Sequence, residues 1–169
     1  GVKMEGAASE LVALLGDGSF RDTLSILQKV VTLASDKAIT LDEVEKVTGA
    51  PKSALVLSFV EAITAKDIPG ALSILSDAAK EHIDIKVFNK LILARLRYLL
   101  LRLAAPAVAT SEASAGVFTA DEISRLNTVK VDQGLLVKTL YAFLDASSQM
   151  GKSHIATLPL ELAVVKLSV

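Results

Sequence analysis

The residues best suited to chemistry in this chain are Gly18, Ser19, Arg21 and Asp22, in the run Gly16-Asp17-Gly18-Ser19-Phe20-Arg21-Asp22-Thr23-Leu24. A Gly/Ser turn here leads into an amphipathic helix. Ser19 is placed to cap that helix, and Asp22 is placed to return a bond to the cap's own N–H. Arg21 then falls in the first turn, where a positive charge opposes the helix dipole at a cost of roughly 0.3–1 kcal/mol. An anion arriving from outside would reverse that balance, and phosphate is the anion that helix N-termini most often receive. The plainer reading has Asp22 neutralising its neighbour and Arg21 as a solvated charge, and position alone favours it.

Elsewhere the reactive residue types are scattered. Gly151-Lys152-Ser153 matches the end of a phosphate-binding loop, but the full pattern needs glycine where Ala146 stands and a strand ahead of it. The run reads instead as the loop before the last helix. His82 and His154 lie far apart without a ligand-spaced partner, and the chain has no cysteine, so no metal site is expected. His82 suits a helix end. Asp42, Glu43, Glu45, Asp121 and Glu122 read as first-turn or exposed-face carboxylates, explained by helix energetics without acid–base catalysis. Arg95, Arg97 and Arg102 form a cationic row. Arg95 and Arg102 share a helix face, placed to snorkel at the surface or to meet acidic residues of a neighbouring subunit.

The elements that must position Arg21 are helices. The composition is 51% hydrophobic with only 4% aromatic, and it lacks the alternation a sheet requires. An all-α fold follows, in two parts. In the first, residues 4 to 15 form a helix ended by Gly16-Asp17-Gly18. The next runs from Ser19 to about Ala34 with Phe20, Leu24, Leu27, Val30 and Val31 inward, and a short third is boxed by Thr40 and Glu43 and closed by Gly49. Ala50-Pro51 marks the boundary. The second part has helices over 53 to 66, with Val56, Phe59, Val60 and Ile63 inward, and, started by Asp67-Ile68-Pro69, over 69 to 82 on Leu72, Leu75 and Ala79. The longest, from about Asp84 to Leu103, is apolar on nearly every side, which places it deep in a bundle or between subunits; its apolar surface, more than one bundle covers, assigns a self-association surface to residues 51 to 169. Residues 104 to 117 read as a mobile connection. Three helices follow, beginning near Thr119, Val131 and Pro159.

The run Gly-Ser-Phe-Arg-Asp-Thr-Leu-Ser-Ile-Leu, residues 18 to 27, resembles the sensor-2 segment in the lid of the AAA+ clamp-loader ATPases, on their bacterial branch. Residues 1 to 12 are similar to the lid's first helix and residues 39 to 49 to its short third helix. Leu158 to Leu167 resembles the last helix of the collar. Gln28-Lys29 stands where the family commonly has Asp-Gln, which leaves Arg21 in place. The resemblance implies a three-helix AAA+ lid over residues 1–49 and a helical collar for oligomerisation over 50–169. It implies that Arg21 senses the γ-phosphate of ATP in a longer parent, with Gly18, Ser19 and Asp22 shaping its turn. The phosphate loop, the Mg2+-binding acids, the arginine finger and a small zinc module would belong to a preceding domain. This fragment would bind no cofactor and be inactive alone. Its implied partners are other clamp-loader subunits, and, through the full assembly, the sliding clamp and primed DNA.

Two rivals remain from the residues alone. A stand-alone helical interaction module explains the second half but leaves the arginine turn as coincidence. A different AAA+ machine would follow its lid with a winged helix or a basic recognition helix, and residues 51 to 169 show neither. A formal net charge of −1 gives no electrostatic footprint for DNA. No signal peptide opens the chain, and the stretch Leu91–Leu103 is broken by arginines and too short to cross a bilayer, so a cytoplasmic address without membrane contact is expected.

Overall fold

The computed structural model describes residues 2–33, 38–114 and 118–168, which form ten α-helices and two very short strands. The all-α expectation holds. Five elements come first: β1 (Lys3–Met4), α1 (Gly6–Leu15), α2 (Phe20–Leu33), β2 (Ala38–Ile39) and α3 (Leu41–Thr48). The strands pair in parallel, Lys3 with Ala38 and Met4 with Ile39. Glu5 extends the pairing: its N–H donates to the Ile39 carbonyl at 3.0 Å and its carboxylate accepts from the Leu41 N–H at 2.9 Å. Strands of two residues carry no period, so patterning does not reveal this clip.

The helices α1, α2 and α3 pack on one another around Ala8, Leu11, Val12, Val30, Ile39 and Val44. The Thr40–Glu43 capping box forms in both directions, and Gly49 closes α3 in the left-handed conformation at φ 69°. The inward face of α2 differs from expectation. Val30 is buried and Leu27 half-buried, but Phe20 is 78% exposed, and Leu24 and Val31 also face solvent. Among the described residues α2 packs extensively only on α1 and α3, burying the narrow stripe Ile26-Leu27-Val30 and leaving the rest of its wider apolar arc exposed. Ala34, at the expected end of this helix, lies outside the described residues.

Seven helices follow: α4 (Ser53–Thr64), α5 (Ile68–Lys80), α6 (Ile85–Ala104), α7 (Pro106–Ser114), α8 (Ala120–Thr128), α9 (Gln133–Gln149) and α10 (Leu158–Lys166). Side-chain caps from Asp67, Asp84, Thr119 and Asp132 start α5, α6, α8 and α9. The stripe Val56, Phe59, Val60 and Ile63 of α4 is fully buried. Phe59 meets Phe88 and Phe143 edge-to-face at centroid distances of 5.4 and 5.8 Å, joining α4, α6 and α9. On α5 the buried face is Ala71, Leu75 and Ala78, with Leu72 half-buried and Ala79 exposed.

The long helix α6 packs against α4, α7, α8 and α9, so its apolar girth is used up within the chain. Only Leu103, at its end, is an exposed large hydrophobic. Of the two placements expected for such a helix, deep in a bundle or between subunits, the first is observed, and the expected surplus apolar surface on α6 is corrected. So is the mobile connection over 104–117: Pro106 opens a helix whose first carbonyl, that of Ala105, accepts from Val108 and Ala109 N–H at 2.9 and 3.2 Å. Small alanine-rich residues read as loop by composition, yet alanine is the best helix former, and Ala109 is buried as α7 lies along α6. Residues 115–117 lie outside the described residues. Every extensive helix–helix contact falls within α1–α3 or within α4–α10.

Candidate functional site

The turn that carries Arg21 is built by tight packing. The helix α1 ends at Gly16, whose N–H donates to the Val12 carbonyl at 3.0 Å. Gly16 is buried, and a Cβ there would lie 1.9 Å from Thr23 Oγ1, so only glycine lets the turn close onto the first turn of α2. Asp17 and Gly18 are both left-handed, at φ 51° and 78°, and together reverse the chain. Ser19 Oγ accepts from the Asp22 N–H at 3.2 Å, as a cap should. The reciprocal bond from Asp22 to the Ser19 N–H does not form, because that N–H donates to the Gly16 carbonyl at 2.8 Å. Thr23 takes up the slack: its N–H and Oγ1 both donate to the Ser19 carbonyl, at 3.0 and 2.9 Å.

Arg21 is the second residue of α2 and is exposed, as is Asp22 beside it. The four residues Gly18, Ser19, Arg21 and Asp22 are thus brought together at one helix N-terminus. The arrangement presents a cation together with first-turn N–H groups, which suits an anion. Asp17 is tied to Lys90 of α6 at 2.5 Å, and this hydrogen bond and charge hold its carboxyl below the ordinary range.

The structure also places a polar cluster that the sequence pattern misassigns. Arg95 is not on the surface: it is 5% exposed and ion-paired to Glu122, itself 2% exposed. The guanidinium also donates to the Leu91 carbonyl at 3.0 Å and lies 5.5 Å above the Phe118 ring, which stacks edge-to-face on Tyr98. Glu122 accepts from Ser53 Oγ at 2.6 Å and from the Thr119 N–H at 2.8 Å, so one carboxylate serves as helix cap and as counter-ion. Burial pushes this carboxyl up, and Arg95, Ser53 and Thr119 together outweigh burial and leave it below its usual value. Glu45 of α3 accepts from the Ser53 N–H at 2.9 Å, and burial holds its carboxyl above the ordinary value. Arg102 is half-buried and donates to the carbonyls of Leu126 and Val129 (2.6 Å for the latter) at the C-terminal end of α8. Arg95 and Arg102 do share a face, but it meets α8 of the same chain, not a neighbouring subunit. Glu122 is legible in the sequence as a helix cap, but its pairing with Arg95, 27 residues away, is not.

The remaining candidates lie apart from one another. Gly151 sits in a turn at φ 84° and α10 starts only at Leu158, so Gly151-Lys152-Ser153 does not open a helix. His82, exposed and left-handed at φ 55°, follows the end of α5, and His154 is exposed on a loop. Among the described residues no three His, Cys, Asp or Glu side chains are grouped to hold a metal, and no helix is long and apolar enough to cross a membrane.

No protein-family model matches the chain. The DNA polymerase III gamma/tau subunits of Mycobacterium bovis and Mycobacterium tuberculosis are each 29% identical to it over 161 residues, 94% of this chain. The chain spans about a quarter of the length of those relatives, 27% of each. Among solved structures, the Bacillus subtilis DNA clamp loader delta protein superposes with a TM-score of 0.52 over 98% of this chain and 51% of its own length, at 18% identity. That likeness is one of fold. In sequence, nearly the whole chain is similar to one segment of DNA polymerase III subunit gamma/tau.

Proposed function

We propose that this chain is the nucleotide-sensing lid and assembly collar of a clamp-loader subunit. Its full-length parent would use ATP and Mg2+ to load a sliding clamp onto primed DNA in replication, in the cytoplasm. The observation that carries the reading is the placement of Arg21: an exposed arginine on the first turn of α2, behind a turn locked by Gly16, in a chain matched along 94% of its length by gamma/tau subunits. In this reading residues 1–49 are the lid and 50–169 the collar. The grouping of extensive helix contacts on either side of Gly49–Lys52 supports that division. Arg21 approaches the terminal phosphate of ATP held by a preceding domain and makes charge-assisted bonds that ADP cannot offer.

The test is Arg21→Ala in the full-length parent. An exposed arginine at this position adds little to the helix, so the fold survives. ATP-dependent clamp binding and hydrolysis should fall by roughly one to three powers of ten, the scale for losing a phosphate-stabilising donor. Arg21→Lys should recover only part, since lysine keeps the charge without the planar fork. Parental turnover and loading in a normally folded Arg21→Ala protein would return Arg21 to the status of a solvated charge.

A further inference from the structure

We propose that the ion pair between Asp17 and Lys90 is the contact through which the helices α4–α10 set the position of Arg21. The use of that coupling rests on the sensor reading above; the contact itself does not. Asp17 moves as one body with Arg21. Between them the chain is fixed by the Gly16–Ser19, Ser19–Asp22 and Ser19–Thr23 hydrogen bonds and by the packing of Gly16 on Thr23. Lys90 is equally fixed to the other helices. Its neighbours in sequence, Asn89 and Leu91, are buried, and Asn89 donates to Ser147 Oγ at 2.5 Å, joining α6 to α9.

Across the junction the two groups meet at scattered apolar residues that join one continuous hydrophobic cluster. No helix of α1–α3 packs extensively on a helix of α4–α10. A cavity of about 220 Å3 lies at their junction, walled by Leu11 and Leu14 of α1, Leu41 of α3, and Leu91 and Arg95 of α6. A second polar crossing, from the Ser53 N–H to Glu45, spans only eight residues of sequence beside the link. It leaves rotation about that link open. The Asp17–Lys90 pair spans 73 residues and closes the junction away from the link.

Asp17, like Lys66 and His82, takes the left-handed conformation, here as part of the reversal between α1 and α2. The carboxylate is 77% exposed and the lysine 36%, so the pair adds little to stability. It selects an orientation between two groups of helices that share no extensive helix–helix face, and an exposed pair of that kind is made and broken easily.

The test uses the cysteine-free 169-residue chain with spin labels at Gln28→Cys on α2 and Lys138→Cys on α9, both exposed positions. Distances between the labels should form one narrow distribution in the parent sequence. Lys90→Glu should shift and broaden it, and Lys90→Gln should do so to a lesser degree. The swap Asp17→Lys with Lys90→Glu should restore the narrow distribution; Lys66, at φ 59°, shows that lysine takes the left-handed conformation in this chain. Circular dichroism checks folding, and if Lys90→Glu does not fold, Lys90→Gln carries the comparison. Unchanged distances in a folded Lys90 variant, or a swap that restores nothing, overturn the proposal. In the full-length parent, Lys90→Glu should change ATP turnover in the same direction as Arg21→Ala but by a smaller factor. If Arg21→Ala is silent while the label distances respond, the sensor reading falls and the contact stands. If Arg21→Ala slows turnover while the distances do not respond, the contact falls and the sensor reading stands.

Discussion

Replacing Arg95 by methionine would leave the Glu122 carboxylate buried without a cation beside it. Such a change costs about 3–5 kcal/mol, because the stranded charge keeps its desolvation penalty. Adding Glu122→Gln should recover most of the loss, since the amide oxygen can still cap α8 and no buried charge remains. Thermal unfolding of the two variants checks both halves. Glu45 titrates with the opposite sign to Glu122. Its folded pKa lies above the ordinary 4.5, raised first by burial and further by Asp42 and Glu122. A raised carboxyl favours the folded state fully below the unfolded value, and the benefit is lost as pH rises through the folded value. Glu45→Gln, which keeps an acceptor for the Ser53 N–H, should therefore raise the melting temperature by about 1–3 °C at pH 7 and leave it nearly unchanged near pH 4. A parallel offset at both pH values would show that Glu45 does not titrate in that way.

At the scale of elements, Ala109 is the buried side chain among those described on α7, and it faces α6. Ala109→Asp would place a charge against α6 and should release α7, costing about 1–3 kcal/mol, while exposed Ala107→Asp should be neutral within about 0.5 kcal/mol. Hydrogen exchange at the Ala109 and Thr110 amides reads the release directly. The helices α1, α3, α4, α5, α6 and α8 were legible from periodicity and caps, because Thr40–Glu43, Asp67, Asp84, Thr119–Glu122 and Gly49 act locally and act as written. The face of α2 and the helix α7 were not. Whether Phe20 is inside depends on how many neighbours α2 has, and whether an alanine-rich stretch becomes helix depends on a partner such as α6; neither is a local property. The turn around Arg21 was legible as a turn, and Ser19 as its cap. Lys90 and the burial of Arg95 were not, since each depends on residues more than twenty positions away.

At the scale of the whole molecule, the exposed large hydrophobics lie mainly on α2 and on α9 and α10, at Phe20, Leu24 and Leu33 and at Tyr141, Leu144, Leu162 and Val165. If the collar reading holds, α9 and α10 meet other clamp-loader subunits. Tyr141 shares a shallow hollow with Lys138, Asp145 and Lys166, and Tyr141→Glu placed there should weaken assembly. Sedimentation across a wide concentration range, with and without residues 1–49, checks this: association that vanishes with removal of residues 1–49 would assign the surface to α2 instead. The chain alone should show a strongly helical spectrum and no ATP turnover.

The pairing of β1 with β2 has a mechanical consequence. A pull applied at Val2 does not first straighten a slack tail. It is met at once by the backbone bonds of Lys3–Met4 against Ala38–Ile39, with Glu5 bracing Leu41, and passes into the start of α3. Any body joined ahead of these residues would drive the three helices as a stiff lever, so that its rotation would reach α3 and the Gly49 link with little compliance in between.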